Sequence, residues 1–261
     1  MSARVAFAHT VHAEWIKFRS LRSTWYTVAG FLVAGLGLAY LTMGAAGQEY
    51  ADATPADRME WDPAALSLRS FILAQFIIGV LGILIVTSEY ATGLLQTTMS
   101  ATPRRGRLLA AKVAIVAAVA VVAGQGLMFA AFLIGQARLA ALDVPNAALG
   151  DPGVLNAVVA GGLYLSVIAL LAVGLGAILR ATAGALATLV GIVFLVPGLG
   201  GVFPSWMTGL FDYWPTMGGA AALETLPNPD YPHPWLNLAG MTLGVAVVLA
   251  VAFVLFRRRD V

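Results

Sequence analysis

Residues 71–87 read FILAQFIIGVLGILIVT, an apolar run without a single charged side chain. A helix needs about 20 mostly apolar residues to cross the hydrocarbon core of a bilayer, with a range of about 17–25. Strands of a membrane barrel would instead alternate between apolar and polar residues. Because this run is continuous, it predicts a membrane-spanning helix.

Five other runs share this length and continuity. Together the runs predict six spanning helices, at residues 25–43, 71–87, 109–135, 157–179, 185–202 and 235–256. None of the stretches between them reaches the roughly 50 residues of a small folded domain. We therefore expect an all-α, polytopic membrane protein, with a single six-helix domain over residues 25–261 after a polar segment over residues 1–24.

The composition excludes several classes of protein. Of the 261 residues, 60% are apolar and only 11% are charged, whereas a soluble domain carries about 25% charged residues. Charge is too scarce for a soluble enzyme, and apolar content is too high for a disordered chain. The absence of cysteine excludes a disulfide framework, a thiolate nucleophile and a cysteine-ligated zinc.

The charges separate into two sets of loops. Residues 1–24, 88–112, 180–184 and 257–261 hold twelve basic and three acidic side chains, a net charge of +9. The opposite loops hold three basic and ten acidic side chains, a net charge of −7. Since an excess of Lys and Arg in short loops marks the cytoplasmic side, both termini are predicted to be cytoplasmic.

Motifs for chemistry are missing from the sequence. A P-loop places its lysine after a glycine, but Lys17 follows Ile16 and Lys112 follows Ala111. The three histidines lie outside the predicted spans, and no ionisable side chain lies near the middle of a span. We expect no enzymatic activity, no metal and no cofactor in this chain. The pattern also disfavours an ion-coupled carrier, and a net charge of +2 disfavours a nucleic-acid partner.

The segment between the second and third spans is polar yet patterned. Residues 88–107 read SEYATGLLQTTMSATPRRGR. Leu95 and Met99 stand one helical turn apart, so a short helix could present an apolar edge to a partner, and Pro103 would end it. An ordinary positively charged loop would account for the arginines but not for Glu89, Gly93 and Pro103.

These residues resemble the signature of the ABC type-2 exporter permeases, and especially of their short actinobacterial-like members. The positions that match are Glu89, Tyr90, Gly93, Pro103, Arg104, Arg105, Gly106, Arg107 and Lys112. Two positions depart from the pattern: Leu94 stands where many members carry Thr or Met, and Gln96 stands where Arg is frequent. The resemblance covers the whole chain in topology, but motif identity is confined to about residues 88–112.

The resemblance implies one half of an exporter in a bacterial plasma membrane. Such a permease pairs with a second copy or a paralogue, and each permease docks a separate cytosolic ATPase, which binds ATP and Mg. The segment after the second span would form a short cytoplasmic coupling helix on that ATPase. The residues implied in coupling are Glu89, Tyr90, Gly93, Gln96, Pro103, Arg104, Arg105 and Arg107.

The N-terminal segment carries its own apolar stripe. Phe7, Val11, Trp15 and Phe18 recur at spacings of four, four and three residues, which predicts a helix with one apolar face. Aromatic and basic side chains beside a span suit an amphipathic helix in the headgroup layer. A plain juxtamembrane anchor would account for the same pattern.

The route of a substrate is implied only by resemblance, through the second and fifth spans. The residues proposed along it are Gln75, Phe76, Thr188 and Phe194. Few polar groups stand on these spans, so the resemblance favours outward transport of a hydrophobic or amphipathic molecule. A non-transporting membrane anchor or regulator, and an ATP-independent channel, are the alternative functions.

Two further features concern packing. Glycines in the spans indicate close helix approach, namely Gly30, Gly35, Gly37, Gly79, Gly82, Gly174 and Gly176. The segment 203–234 is rich in proline, which breaks regular structure. By resemblance, this segment folds back toward the membrane as a cap over the exit.

Overall fold

The computed structural model describes residues 3–91 and 105–258, and these ranges are helical with short connections. The α-helices of four or more residues are α1 (Ala3–Ser20), α2 (Arg22–Asp52), α3 (Pro63–Leu68), α4 (Phe71–Ala91), α5 (Arg105–Ala140), α6 (Val154–Leu179), α7 (Thr182–Val190), α8 (Thr208–Phe211) and α9 (Pro234–Arg258). Short 3₁₀ turns lie at Asp57–Glu60, Gly200–Val202, Ser205–Met207 and Gly218–Leu223. The all-α class predicted from the sequence is confirmed for the described residues.

Five stretches of the described chain are long and apolar enough to cross a bilayer. They are Arg22–Asp52, Pro63–Tyr90, Arg105–Ala140, Val154–Leu179 and Pro234–Arg258. The predicted span at 185–202 corresponds instead to a shorter apolar stretch, Thr182–Gly198. At about 1.5 Å per residue this stretch is about 25 Å long, less than the roughly 30 Å of a hydrocarbon core. The predicted count of six full-length spans is therefore not confirmed.

A change of helical geometry distinguishes this short stretch. After α7 the chain forms a π-helical turn at Gly191–Leu195 and one α-helical turn at Val196–Gly198. It then passes into the 3₁₀ turn at Gly200–Val202. Pro197, Gly198, Gly200 and Gly201 weaken a regular helix here. The regular helix therefore ends before residue 202, the predicted end of this span.

Two helices, α2 and α5, extend furthest beyond the apolar runs that predicted them. Helix α2 has 31 residues and continues beyond residue 43 to Asp52, while α5 has 36 residues and begins at Arg105. The extension of α2 packs against the end of α5 and the turn after it, because a Cβ atom on Gly47 would lie 3.6 Å from a methyl carbon of Leu139 and 2.6 Å from one of Leu142. The apolar run therefore marks the part of each helix suited to lipid, and tertiary packing extends the helix beyond it.

Helix α6 forms the centre of the bundle. It packs against α4, α5, α7 and α9, and 83% of its apolar 18-residue core is buried, compared with 22% for α2. A helix that is apolar on all sides is suited to such a position. The peripheral helices consequently keep one exposed apolar face each.

The two ends of the bundle differ in charge, and we name them for it. The basic end holds α1, the last turns of α4, α6 and α9, and the first turn of α5. The acidic end holds the last turn of α2, α3, the 3₁₀ turn at Gly218–Leu223 and the first turns of α6 and α9. At the acidic end Asp62 Oδ2 accepts a 2.7 Å hydrogen bond from the Thr225 backbone N–H, which joins the connection before α3 to the segment after the 3₁₀ turn.

Candidate functional site

The segment implied in coupling lies between the end of α4 and the start of α5. Gly93, Gln96, Pro103 and Arg104, together with the predicted coupling helix, fall outside the described residues. Helix α4 ends at Ala91 and α5 begins at Arg105, so the structure describes the two helical ends that flank this segment. The contacts at these ends define the candidate site.

A buried ammonium group joins three helices at this point. Lys112 of α5, only 2% exposed, donates a 2.7 Å hydrogen bond to Glu14 Oε2 of α1 and a 2.6 Å hydrogen bond to Glu89 Oε1 of α4. Its third bond goes to the Ile85 carbonyl oxygen at 3.1 Å. All three ammonium protons therefore have an acceptor, as a buried charge requires.

Lys17 completes this ion cluster from the next turn of α1. Its ammonium also binds Glu89 Oε1, and its side chain is 33% exposed. We call Glu14, Lys17, Glu89 and Lys112 the ion cluster. Two carboxylates and two ammonium groups balance, so the cluster carries no net charge, and it ties α1 to both helices that flank the undescribed segment.

The N-terminal helix is present, but its buried face differs from the predicted stripe. Phe18 is buried and Val11 is half-buried, whereas Phe7 and Trp15 are exposed. Glu14, one helical turn from both Val11 and Phe18, is buried with them because Lys112 neutralises it. The predicted amphipathic helix with one purely apolar face is not confirmed, because the charged residue Glu14 lies on the buried face of α1.

The remaining described coupling residues lie around the cluster. Tyr90 follows Glu89, and the Arg180 guanidinium lies 5.2 Å from the centre of its ring, which links α4 to the end of α6 through a cation–π contact. Arg105 and Arg107 are half-buried in the first turn of α5. Arg257 of α9 covers that turn, because a Cβ on Gly106 would lie 2.7 Å from its Nε atom.

The residues proposed along a substrate route separate into two groups. Gln75 is 1% exposed, and its Oε1 accepts a 2.7 Å hydrogen bond from the Tyr164 hydroxyl of α6. Phe76 is half-buried beside it. Thr188 and Phe194, in contrast, are exposed on the short apolar stretch, Phe194 by 65%. Gln75 thus joins α4 to α6 inside the bundle, while Thr188 and Phe194 lie on an apolar outer surface.

The π turn is held from the acidic end by Trp214 and Thr216, two residues of the segment 203–234. Trp214 Nε1 donates a 2.7 Å hydrogen bond to the Ile192 carbonyl, and Thr216 Oγ1 donates one of 2.7 Å to the Val193 carbonyl. The Thr216 backbone N–H also donates to the Tyr164 hydroxyl at 3.1 Å. A π turn displaces backbone carbonyls from regular helical bonds, and these side chains satisfy two of them.

A cavity of about 910 Å³ lies at the acidic end. Five carboxylates and one arginine line it, together with aromatic side chains: Glu49, Asp57, Glu60, Asp62, Glu224 and Arg69 are the charged residues. Its walls come from the end of α2, from α3 and from the segment between Thr216 and Tyr231. The predicted fold-back of residues 203–234 is consistent with this position, but its role as a cap stays a prediction.

Two titrating groups at this end have shifted pKa values. Hydrogen bonds from the Thr54 hydroxyl and backbone N–H lower the pKa of Asp57. Partial burial, and then the negative charge of Asp212, raise the pKa of Tyr231. Asp57 is therefore ionised and Tyr231 neutral at pH 7. Among the described residues, no group of three or more His, Asp or Glu side chains is placed to hold a metal ion.

Apolar helices, five of them long enough to span a bilayer, and a buried ion cluster at one end define a multi-pass membrane protein. The chain belongs to a family of transporters: a family model described as ABC-2 family transporter protein matches residues 10–198. This match confirms the family resemblance found in residues 88–112, and it includes all four members of the ion cluster. A comparison with curated proteins finds no match.

Proposed function

We propose that this chain is the permease subunit of an ATP-binding-cassette exporter, working with a separate cytosolic ATPase. The observation that carries the proposal is the ion cluster, which joins α1 to α4 and α5, the two helices that flank residues 92–104 in the chain. A force applied to that segment by a partner would pass to both flanking helices and to α1 together. A simple membrane anchor would have no need of three helices held by buried charges.

The proposal orients the chain with its basic end toward the cytoplasm. Short segments at that end carry the excess of Lys and Arg, which favours the cytoplasmic side. The segment 92–104 then faces the ATPase, both termini are cytoplasmic, and the acidic cavity opens outside. ATP and Mg bind to the partner ATPase. This chain contributes the route through the membrane and the docking segment, as we call residues 92–104.

The proposed cargo is hydrophobic or amphipathic. The short apolar stretch Thr182–Gly198 exposes Val190, Phe194 and Leu195 by 42–65%. Thr188, a polar residue proposed on the substrate route, is exposed on the same stretch. A polar cargo on such a surface would lose its hydration without new hydrogen bonds, which is costly. A second permease copy facing this surface would enclose a route between the two chains.

Coupling is tested by co-expressing the chain with its ATPase and reconstituting the complex in liposomes. Pro103→Ala changes the docking segment and leaves the ion cluster intact, so we expect it to retain ATP hydrolysis and lose most stimulation by cargo. His12→Ala, an exposed change on α1, is the matched control and should leave stimulation unchanged. Full stimulation in the Pro103→Ala complex would contradict the docking role, and an anchor without transport would show no cargo-dependent hydrolysis in the parent complex.

Orientation is tested with single cysteines, because the chain contains none of its own. Gln48→Cys and Asn228→Cys, at the acidic end, should react with an impermeant maleimide in intact cells. His12→Cys, at the basic end, should react only after permeabilisation. The side chains of Gln48 and His12 are exposed and that of Asn228 is half-buried, so access within the fold does not prevent labelling. Labelling of His12→Cys in intact cells would reverse the proposed orientation.

A further inference from the structure

One arginine at the acidic end has no anionic partner. Arg138 lies in the last turn of α5 and is half-buried. Among the described residues its guanidinium makes no hydrogen bond and no ion pair, although the loops at this end carry a net charge of −7. Its central carbon, Cζ, lies instead 5.2 Å from the centre of the Tyr40 ring of α2, a cation–π contact. The described part of the chain therefore supplies no acceptor for the five N–H donors of this side chain.

The two Nη groups of Arg138 are accessible from outside the fold. Among its nitrogens, Nε is the one that is both buried and unpartnered. Because the Nη groups have no described partner either, they have accessible surface. Gly44 of α2 leaves the space beside them open, since a Cβ atom there would lie 3.5 Å from Nε and 3.7 Å from Nη2. A ligand can therefore reach the Nη edge of the guanidinium without any rearrangement of the helices.

The surface around this guanidinium is apolar. Tyr40 is 49% exposed, and Leu41 beside it on α2 and Leu133 on α5 are exposed by 69% and 55%. Lipid chains are as apolar as leucine, so exposed leucines on a spanning helix are suited to contact with them. A tyrosine at the end of a span is typical of the aromatic belt at the membrane interface. The Nη groups thus lie on a surface that faces lipid.

The depth of the guanidinium matches the headgroup layer. Tyr40 lies three residues before the end of the apolar run at 25–43, and Arg138 three residues after the end of the run at 109–135. At about 1.5 Å per residue, each position is about 4.5 Å from the end of its run. A hydrocarbon core of about 30 Å within a bilayer of about 40–45 Å leaves a headgroup layer of about 5–7 Å on each side. The anionic groups at this depth are the phosphates of lipid molecules.

We infer that Arg138 and Tyr40 form a site for one phospholipid in the leaflet at the acidic end. The Nη groups donate to its phosphate oxygens, and its acyl chains lie on the surface formed by Leu41 and Leu133. The planar fork of a guanidinium matches the geometry of a phosphate, and such charged hydrogen bonds are about twice as strong as neutral ones. A free phosphate ion offers the same oxygens but no acyl chains for the apolar surface. The inference goes beyond the proposed function, because it requires neither the ATPase nor transport.

The test follows the reaction of phenylglyoxal with arginine side chains of the purified full-length chain in an uncharged detergent, mapped by peptide mass spectrometry. Dioleoylphosphatidylglycerol at about ten times its Kd should slow modification of Arg138 by about tenfold, as mass action requires. Dioleoylglycerol, which has the same acyl chains and no phosphate, should leave the rate nearly unchanged. Arg69, exposed at the same end in the wall of the acidic cavity, is the internal reference and should react at one rate throughout.

A pair of glycine variants tests the position of the site without removing its charge. In Gly44→Leu the added side chain takes the space beside the Arg138 guanidinium, so protection by phosphatidylglycerol should fall by at least about tenfold, which corresponds to about 1.4 kcal/mol. Gly37→Leu is the matched control on the same helix, because a Cβ atom there meets nothing within 4 Å. It should keep the protection of the parent chain.

Three results would overturn the inference. The first is equal protection of Arg138 by phosphatidylglycerol and dioleoylglycerol, which would show that the phosphate contributes nothing. The second is equally strong protection by inorganic phosphate at the same concentration, which would assign the site to the free ion instead of a lipid. The third is unchanged protection in Gly44→Leu. Because no ATPase is present, these results are independent of those that test the proposed function.

Discussion

Replacement of Lys112 by methionine should destabilise the protein by about 3–5 kcal/mol, because it leaves two buried carboxylates with too little positive charge. Glu14 would lose its ion-pair partner, and Glu89 would keep only the partly exposed Lys17. Methionine matches the length of the lysine stem, so the change tests charge more than volume. The measurement is thermal or denaturant unfolding of the purified chain in detergent.

Two further variants separate the ion cluster from general sensitivity to mutation. Lys17→Met removes an ammonium that is 33% exposed, so its effect should be about 0–1 kcal/mol. Adding Glu14→Gln to Lys112→Met removes one of the unpaired charges, and the double variant should be more stable than Lys112→Met alone. A double variant whose losses simply add would show that these residues do not act as a charge-balanced unit.

Replacement of Gly82 by valine should separate α4 from α6. A Cβ atom at Gly82 would lie 2.3 Å from the Ala169 carbonyl oxygen and 3.0 Å from the Ala172 side chain. The first of these atoms belongs to the backbone and cannot rotate away. Overpacking a close contact costs about 1–3 kcal/mol, and we expect the upper part of this range because the central helix itself must move.

The matched control is Gly126→Val on α5, where a Cβ atom would meet nothing within 4 Å. It introduces the same side chain into a helix and should change unfolding by only a few tenths of a kcal/mol, the difference in helix propensity between glycine and valine. Comparison of the two unfolding midpoints checks the prediction. Equal destabilisation by both variants would show that the close contact between Gly82 and Ala169 is not the cause of the effect.

The glycines show how far sequence reasoning reaches. The sequence indicates that glycines in the spans allow close packing, yet it assigns the same meaning to Gly30, Gly37, Gly79 and Gly82. In the structure Gly79 and Gly82 lie against α7 and α6, whereas Gly30 and Gly37 face open space. A glycine permits close approach, but whether another helix is there depends on how the bundle assembles.

At the candidate site, too, the sequence indicated some of the residues, and only the fold showed how they pair. Resemblance singled out Glu89 and Lys112 in adjoining segments, and these two side chains do form an ion pair. It did not single out Glu14, which pairs with Lys112 across 98 positions of the chain. A search for an acidic residue near the Phe18 turn of the N-terminal stripe could have suggested it, but spacing alone does not show which charge is buried.

By itself the sequence determined the class of fold and the location of most helices, because backbone groups in lipid must be satisfied within the helix. The sequence also showed the uneven distribution of charge between the two sets of loops. The tertiary structure alone decided which side chains meet: Glu14 with Lys112, Trp214 and Thr216 with the π turn, and Gly82 with Ala169. These contacts depend on distances between segments far apart in the chain, and a short helix such as Thr182–Gly198 is stable here because neighbouring elements satisfy the carbonyls that its own turns leave free.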